Sequence, residues 1–133
     1  MKMKKVLLSA IVASCLGAFA TAALGQARVV VKFPKGKHEA SAKGSIKGYT
    51  YIDYVLGARA GQHMSLELSS PEGKAQFVVR GPDNENLEYG TGVQEWAGEL
   101  QQSGNYTVRI LMSRAEARRK GAASSFIIRF TIK

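Results

Sequence analysis

The sequence predicts an all-β protein, an antiparallel β-sandwich with one short helix between its last two strands. Three observations carry this prediction. Apolar and polar residues alternate at the two-residue period of a strand in several short segments, and turn residues punctuate them at close intervals. Only one stretch, residues 113–121, has helical chemistry. There is no strand–helix–strand rhythm and no internal repeat, which argues against a parallel α/β sheet and a repeat architecture.

The chain has 133 residues, enough for one domain with a genuine core. It opens with Lys2, Lys4 and Lys5, continues as the apolar run Val6–Ala13, and then becomes rich in small residues. That order is a secretory signal peptide, so residues 1–25 are expected to be removed and residues 26–133 to form a single sandwich domain. Cleavage after Ala22, Gly25 or Ala27 fits the small-residue zone. The apolar run is too short and too rich in alanine and glycine for a membrane span. Cys15 is the one cysteine and lies inside this leader, so the mature domain is expected to hold no disulfide. Val12-Ala13-Ser14-Cys15 also resembles a lipoprotein cleavage box. The very short apolar stretch before it and the apolar residues after it favour export without a lipid anchor. Without residues 1–25 the domain keeps 16 basic against 10 acidic residues, a net charge of +6. A basic exported domain suggests an acidic partner in the envelope: a polymer, a membrane surface or a protein.

The strands follow in order. Residues 28–33 form a β-branched run, and 49–56 place Tyr49, Tyr51, Asp53 and Val55 on one face and Thr50, Ile52, Tyr54 and Leu56 on the other. Residues 64–69 alternate strictly, 75–80 centre on Phe77 and Val79, and 95–100 carry Trp96. In 105–111, Tyr106, Val108 and Ile110 share a face, and in 125–133 Phe126, Ile128, Phe130 and Ile132 oppose Ile127, Arg129 and Thr131. Turn signals stand between them at 60–62, 71–73, 81–84, 90–92 and 103–105.

Residues 113–121 read as a two-turn helix. Ser113 and Glu116 have capping-box spacing, so that the serine oxygen accepts from the Glu116 amide and the carboxylate reaches back to the serine amide. Gly121 is a left-handed C-cap candidate. Arg114 and Arg118 are four residues apart and share a face, with Arg119 and Lys120 beside them. Standing between two strands, such a helix is a crossover, and its basic face projects from a rim of the sandwich, where functional loops sit.

Catalysis finds little support. The two histidines, His38 and His63, lie in polar turn-like surroundings, and without a cysteine in the domain or a His-Glu-x-x-His spacing no metal ligand set is visible. No Gly-x-Ser-x-Gly elbow is present. Asp53 on a central strand is more readily a partner for a nearby lysine or arginine than a catalytic carboxylate. The tyrosines near Lys47 and the basic helix would suit nucleic acid, but an exported protein meets little of it. The reading is therefore no enzyme, no cofactor, no metal and no nucleic acid.

Three elements remain in an ordered set: Ile46-Lys47-Gly48-Tyr49-Thr50-Tyr51-Ile52-Asp53-Tyr54, then Ser103-Gly104-Asn105-Tyr106 leading into Thr107–Leu111, then Arg114-Ala115-Glu116-Ala117-Arg118. This set resembles the periplasmic inhibitors of goose-type (g-type) lysozyme, as do the opening Val31, Phe33, Lys35, Gly36 and the closing Ile132, Lys133. The resemblance implies a periplasmic β-sandwich that plugs the active-site cleft of a g-type lysozyme and protects bacterial peptidoglycan. It implies contact roles for Tyr49, Arg114 and Arg118. Ser103, Gly104 and Tyr106 are implied as a further contact or as support for the helix. Nothing is carried over for residues 70–96. Two alternatives stay open: inhibition of invertebrate-type lysozyme through the loop at Ser103–Tyr106, whose Ser-Gly-x-Tyr element that family shares, and an envelope carbohydrate-binding module with Tyr49 and Trp96 stacking on sugars. Oligomeric state is not legible.

Overall fold

A computed structural model of the protein describes residues 27–89 and 94–133. The expected signal peptide, Cys15 and the turn signal at 90–92 lie outside the described residues. Among the described residues nine strands and one helix follow in order: β1 (Ala27–Val30), β2 (Glu39–Lys47), β3 (Ile52–Ala58), β4 (His63–Ser69), β5 (Ala75–Arg80), β6 (Asn86–Tyr89), β7 (Glu95–Glu99), β8 (Gly104–Met112), α1 (Arg114–Ala117) and β9 (Ala123–Ile132). They form two sheets, β1-β3-β8-β5-β6 and β2-β9-β4-β7. The all-β sandwich with a helix between the last two strands is therefore the fold.

The sheets pair antiparallel except at one edge, where β1 runs parallel to β3 with Ala27 opposite Ile52 and Val30 opposite Val55. Alternation decides which side chains meet between the layers. Ile52, Tyr54 and Leu56 of β3, Val108 and Ile110 of β8, and Phe126, Ile128 and Phe130 of β9 are all buried in one cluster. Tyr54 lies at its centre, edge-on to Phe126 at 6.3 Å and tilted against Phe130 at 5.5 Å between ring centroids.

Two strands have no counterpart among the sequence expectations. β2 turns Ala40, Ala42, Gly44 and Ile46 inward, three of them too small to give an apolar alternation signal. Their smallness is what the packing needs: a methyl at Gly44 would stand 3.1 Å from the Phe126 ring. β6 is a four-residue edge strand pairing with β5 through an irregular register. The expected strand at 49–56 begins only at Ile52, because residues 47–50 form a turn.

The helix is shorter than expected. Arg114–Ala117 is one turn, with Arg118 as its C-cap at φ −81°. Gly121 does take a positive φ of 72°, but in the turn that follows, not as the helix cap. One turn suffices because α1 joins β8 of one sheet to β9 of the other, and the gap between two packed sheets is only about 10 Å.

Candidate partner-binding site

Three connections between the sheets meet at one end of the sandwich: the β2–β3 turn, the β4–β5 turn and the α1 crossover. Their proximity follows from register, since Lys47 pairs with Ala123 and Ala75 with Met112. Residues 47–50, 70–74 and 113–122 together carry six cations (Lys47, Lys74, Arg114, Arg118, Arg119 and Lys120) against the two carboxylates Glu72 and Glu116.

The β2–β3 turn is locked. The Thr50 amide and hydroxyl both donate to the Lys47 carbonyl, at 2.9 and 2.7 Å, and the hydroxyl accepts from the Lys47 amide at 2.9 Å. Gly48 takes φ +54°, a left-handed conformation suited to glycine, and its amide donates to the carbonyl of Ala122 at 3.0 Å. That bond ties the turn to the segment leaving α1. Tyr49 stands between Gly48 and Thr50 with 64% of its surface exposed.

α1 is seated by Ala117, which is buried, and by Met112 just before it. The Ser113 oxygen accepts from the Glu116 amide at 3.3 Å, so half of the capping box forms. The other half does not: the Glu116 carboxylate faces Arg119, 3.8 Å from its Nε, and its Oε1 is buried without a hydrogen bond. Consequently Arg119 has a carboxylate of its own. Arg114 and Arg118 are exposed, and among the described residues neither has an ion-pair partner. The Arg118 amide donates to the Arg114 carbonyl at 3.2 Å, so the two side chains leave the backbone one turn apart, about 6 Å along the axis.

The β4–β5 turn buttresses this end. Glu72 accepts from the Ser125 amide at 3.0 Å and its hydroxyl at 3.1 Å, pinning the turn to the start of β9. The Ser125 amide, first among several hydrogen-bond donors, holds the Glu72 carboxyl below the usual carboxylate range. Neither Thr50 nor Glu72 is singled out by sequence. Thr50 had a signal in its spacing from Lys47, whereas Glu72 acts on a residue 53 positions away.

The Ser103 loop is elsewhere. It precedes β8 while α1 follows it, and the eight-residue step from Gly104 to Met112 spans about 26 Å. The expectation that this loop supports the helix is therefore corrected: it lies at the opposite end. There Ser103 accepts from the Ala60 amide at 3.0 Å, tying down the β3–β4 turn. Tyr106 is 1% exposed; its hydroxyl donates to the Gln102 carbonyl at 2.6 Å and accepts from the Gln102 amide at 3.3 Å. Gly104 takes φ +142° and packs on Pro82. The structure thus brings Tyr49, Arg114 and Arg118 to one end and leaves Ser103, Gly104 and Tyr106 at the other.

Asp53 and Arg109 form a two-pronged pair at 2.7 and 3.0 Å, with the guanidinium carbon 3.7 Å from the centre of the Tyr51 ring. Asp53 is thus a cross-strand partner, as the sequence favours. Tyr51 packs under its arginine and Tyr54 in the core.

A β-sandwich that gathers cations and an open tyrosine on rigid inter-sheet connections has the make-up of a protein-binding domain. No family model matches the chain. It is 34% identical over 96 residues to the inhibitor of g-type lysozyme of Escherichia coli K12, covering 68% of this chain and 71% of that protein. The crystal structure of Aeromonas hydrophila PliG, a periplasmic inhibitor of g-type lysozyme, is similar with a TM-score of 0.74 and 33% identity over 84% of this chain and all of that one. Salmonella Typhimurium PliG matches at 35% identity and a TM-score of 0.64, over 80% of this chain and 97% of that one. The chain belongs to the family of g-type lysozyme inhibitors. The protein is periplasmic, as these structural relatives are. Among the described residues no helix is long and apolar enough to cross a membrane.

Proposed function

We propose that this protein inhibits g-type lysozyme by presenting Arg114, Arg118 and Tyr49 to the enzyme's acidic active-site cleft, protecting peptidoglycan without any catalysis of its own. The observation that carries the mechanism is the pair of arginines one turn apart, free of internal carboxylates and set beside a tyrosine on a locked turn. A glycoside hydrolase acting on peptidoglycan keeps carboxyl groups in its cleft for general-acid work. Guanidinium forks suit those carboxylates, because two parallel charge-assisted hydrogen bonds fix both distance and orientation. Holding both forks on a capped turn lowers the conformational entropy lost on docking. The tyrosine adds rigid amphipathic area beside them.

Turbidity of bacterial cells under lysozyme attack tests this directly. Equimolar protein is expected to protect against a g-type enzyme and to leave chicken-type and invertebrate-type enzymes active. Losing a buried interfacial arginine costs about 2–5 kcal/mol, so Arg114→Ala with Arg118→Ala is expected to weaken inhibition by about 100-fold or more. Ser103→Ala with Tyr106→Phe is expected to leave it intact. Absent protection against the g-type enzyme would overturn the reading. Loss in the second pair alone, with protection against an invertebrate-type enzyme, would shift the contact to the opposite end.

A further inference from the structure

Away from α1, beside the edge strands β6 and β7, a cleft of about 150 Å³ is lined by Trp96, Leu87, Pro82, Glu99, Gln101 and Gln102, together with Tyr106. Tyr106 stands six residues before Met112 on β8, about 20 Å from the α1 end. The lysozyme reading uses none of these side chains and leaves the cleft unassigned.

The indole of Trp96 is fixed by Gly98. A methyl at Gly98 would stand 3.0, 3.3 and 3.6 Å from Cζ2, Cη2 and Cε2 of the ring. Three adjacent atoms at such similar distances are those of a group standing over the ring and not beyond its edge. Trp96 therefore packs along its own strand against Gly98, where a Cβ would crowd the ring. It is half-buried and opens on the cleft, with Leu87 of β6 contributing an exposed apolar wall.

The polar rim carries acceptors. Gln102 donates one amide N–H to Asp83, 3.1 Å away, and its side-chain oxygen accepts no hydrogen bond among the described residues. The side chains of Gln101 and Glu99 are exposed and make no hydrogen bond or ion pair among the described residues. An aromatic floor, an aliphatic wall and a rim of acceptors match a ring that is apolar on one face and carries O–H and N–H donors at its margin. Glu99 and the nearby Asp83 disfavour an anion. The volume is below the about 300–1,000 Å³ of sites for drug-sized molecules, so one ring enters and not a chain.

We infer that this cleft is a second binding site, for a single neutral pyranose such as an N-acetylhexosamine residue of an envelope glycan, engaged independently of the α1 end. The acetamido methyl has Leu87 and Pro82 to pack against, and its N–H has Glu99 or the Gln102 carbonyl to donate to. A protein so equipped holds onto a glycan while its opposite end remains free for a protein partner.

Trp96 is the only tryptophan in the chain, so its fluorescence reports on the cleft alone. The mature protein is titrated with the neutral β-1,4-linked trimer of N-acetylglucosamine, with glucosamine as a cationic control. A saturable emission change is expected, with a dissociation constant of about 1 mM or tighter. Leu87→Ala with Gln101→Ala alters exposed residues and keeps the tryptophan. This variant is expected to bind about tenfold more weakly with its melting temperature unchanged. Arg114→Ala with Arg118→Ala is expected to titrate like the parent. A flat titration, an undiminished response in the Leu87/Gln101 variant, or preference for glucosamine would each overturn the site. Lysozyme protection by the Leu87/Gln101 variant is expected to remain complete, so failure of this inference leaves the inhibitor reading standing.

Discussion

At Gly104 the backbone takes φ +142°, and a methyl there would stand 2.9 Å from Cβ and 3.0 Å from Cγ of Pro82. Two independent penalties coincide, a conformation that L-residues rarely adopt and an overlap with a rigid ring. Gly104→Ala is expected to lower unfolding free energy by about 1–3 kcal/mol in urea titration. Because the α1 end lies across the molecule, lysozyme protection by the folded fraction should persist. Tyr54 gives a pH prediction at the same scale. Burial pushes its hydroxyl from 10.0 up to about 12. The folded state thus holds the proton longer than the unfolded chain does. Its contribution is full below pH 10 and is lost as pH rises through about 12. Tyr54→Phe is expected to lose less stability than the parent between those two values, and parallel melts would reveal equal losses if the phenol did not matter.

Among the elements, α1 is too short to be stable by itself and depends on what holds its ends. Ser113→Ala removes the one capping bond that forms, and is expected to cost about 1 kcal/mol of stability and to weaken lysozyme inhibition less than loss of the arginines does. The β4–β5 turn supports the same end through Glu72. Its carboxyl is held below the ordinary 4.5, so its contribution is present above that value and is lost as pH falls through the lower folded value. Glu72→Gln is expected to separate from the parent in melting temperature at neutral pH and to converge with it in acid.

The whole molecule is built of connections that cross between the layers: β2 to β3, β4 to β5 and β8 to β9 all do so at one end. Their loops bring six cations and two carboxylates together, and the resulting field favours an acidic partner. Association with a g-type lysozyme is therefore expected to slow as ionic strength rises, with dissociation changing less, in stopped-flow or surface-binding kinetics. A salt-independent association rate would mean that this end of the sandwich does not steer the encounter.

Much of this was legible in the sequence because it depends on near neighbours. Alternation placed Ile52, Tyr54 and Leu56 opposite Tyr51 and Asp53, the spacing of Ser113 and Glu116 placed a cap, and Gly121 marked a positive φ. β2 escaped notice because its inward residues are chosen by Phe126, a residue brought opposite only by pairing with β9. The helical signal at 113–121 overestimated α1, since the gap between sheets, not local propensity, sets its length. The basic run by itself does not tell which cations are free; Glu116 turning to Arg119 does. Proximity in motif order likewise suggested that Ser103 and the helix act together, whereas nine residues of extended strand hold them apart. What the sequence determined, then, is the all-β class, the faces of its strands, the excess of basic charge and its family. Which side chains share an end, and which cleft they leave open, was decided only by tertiary pairing, because a strand carries motifs that follow one another in sequence to opposite ends of the molecule.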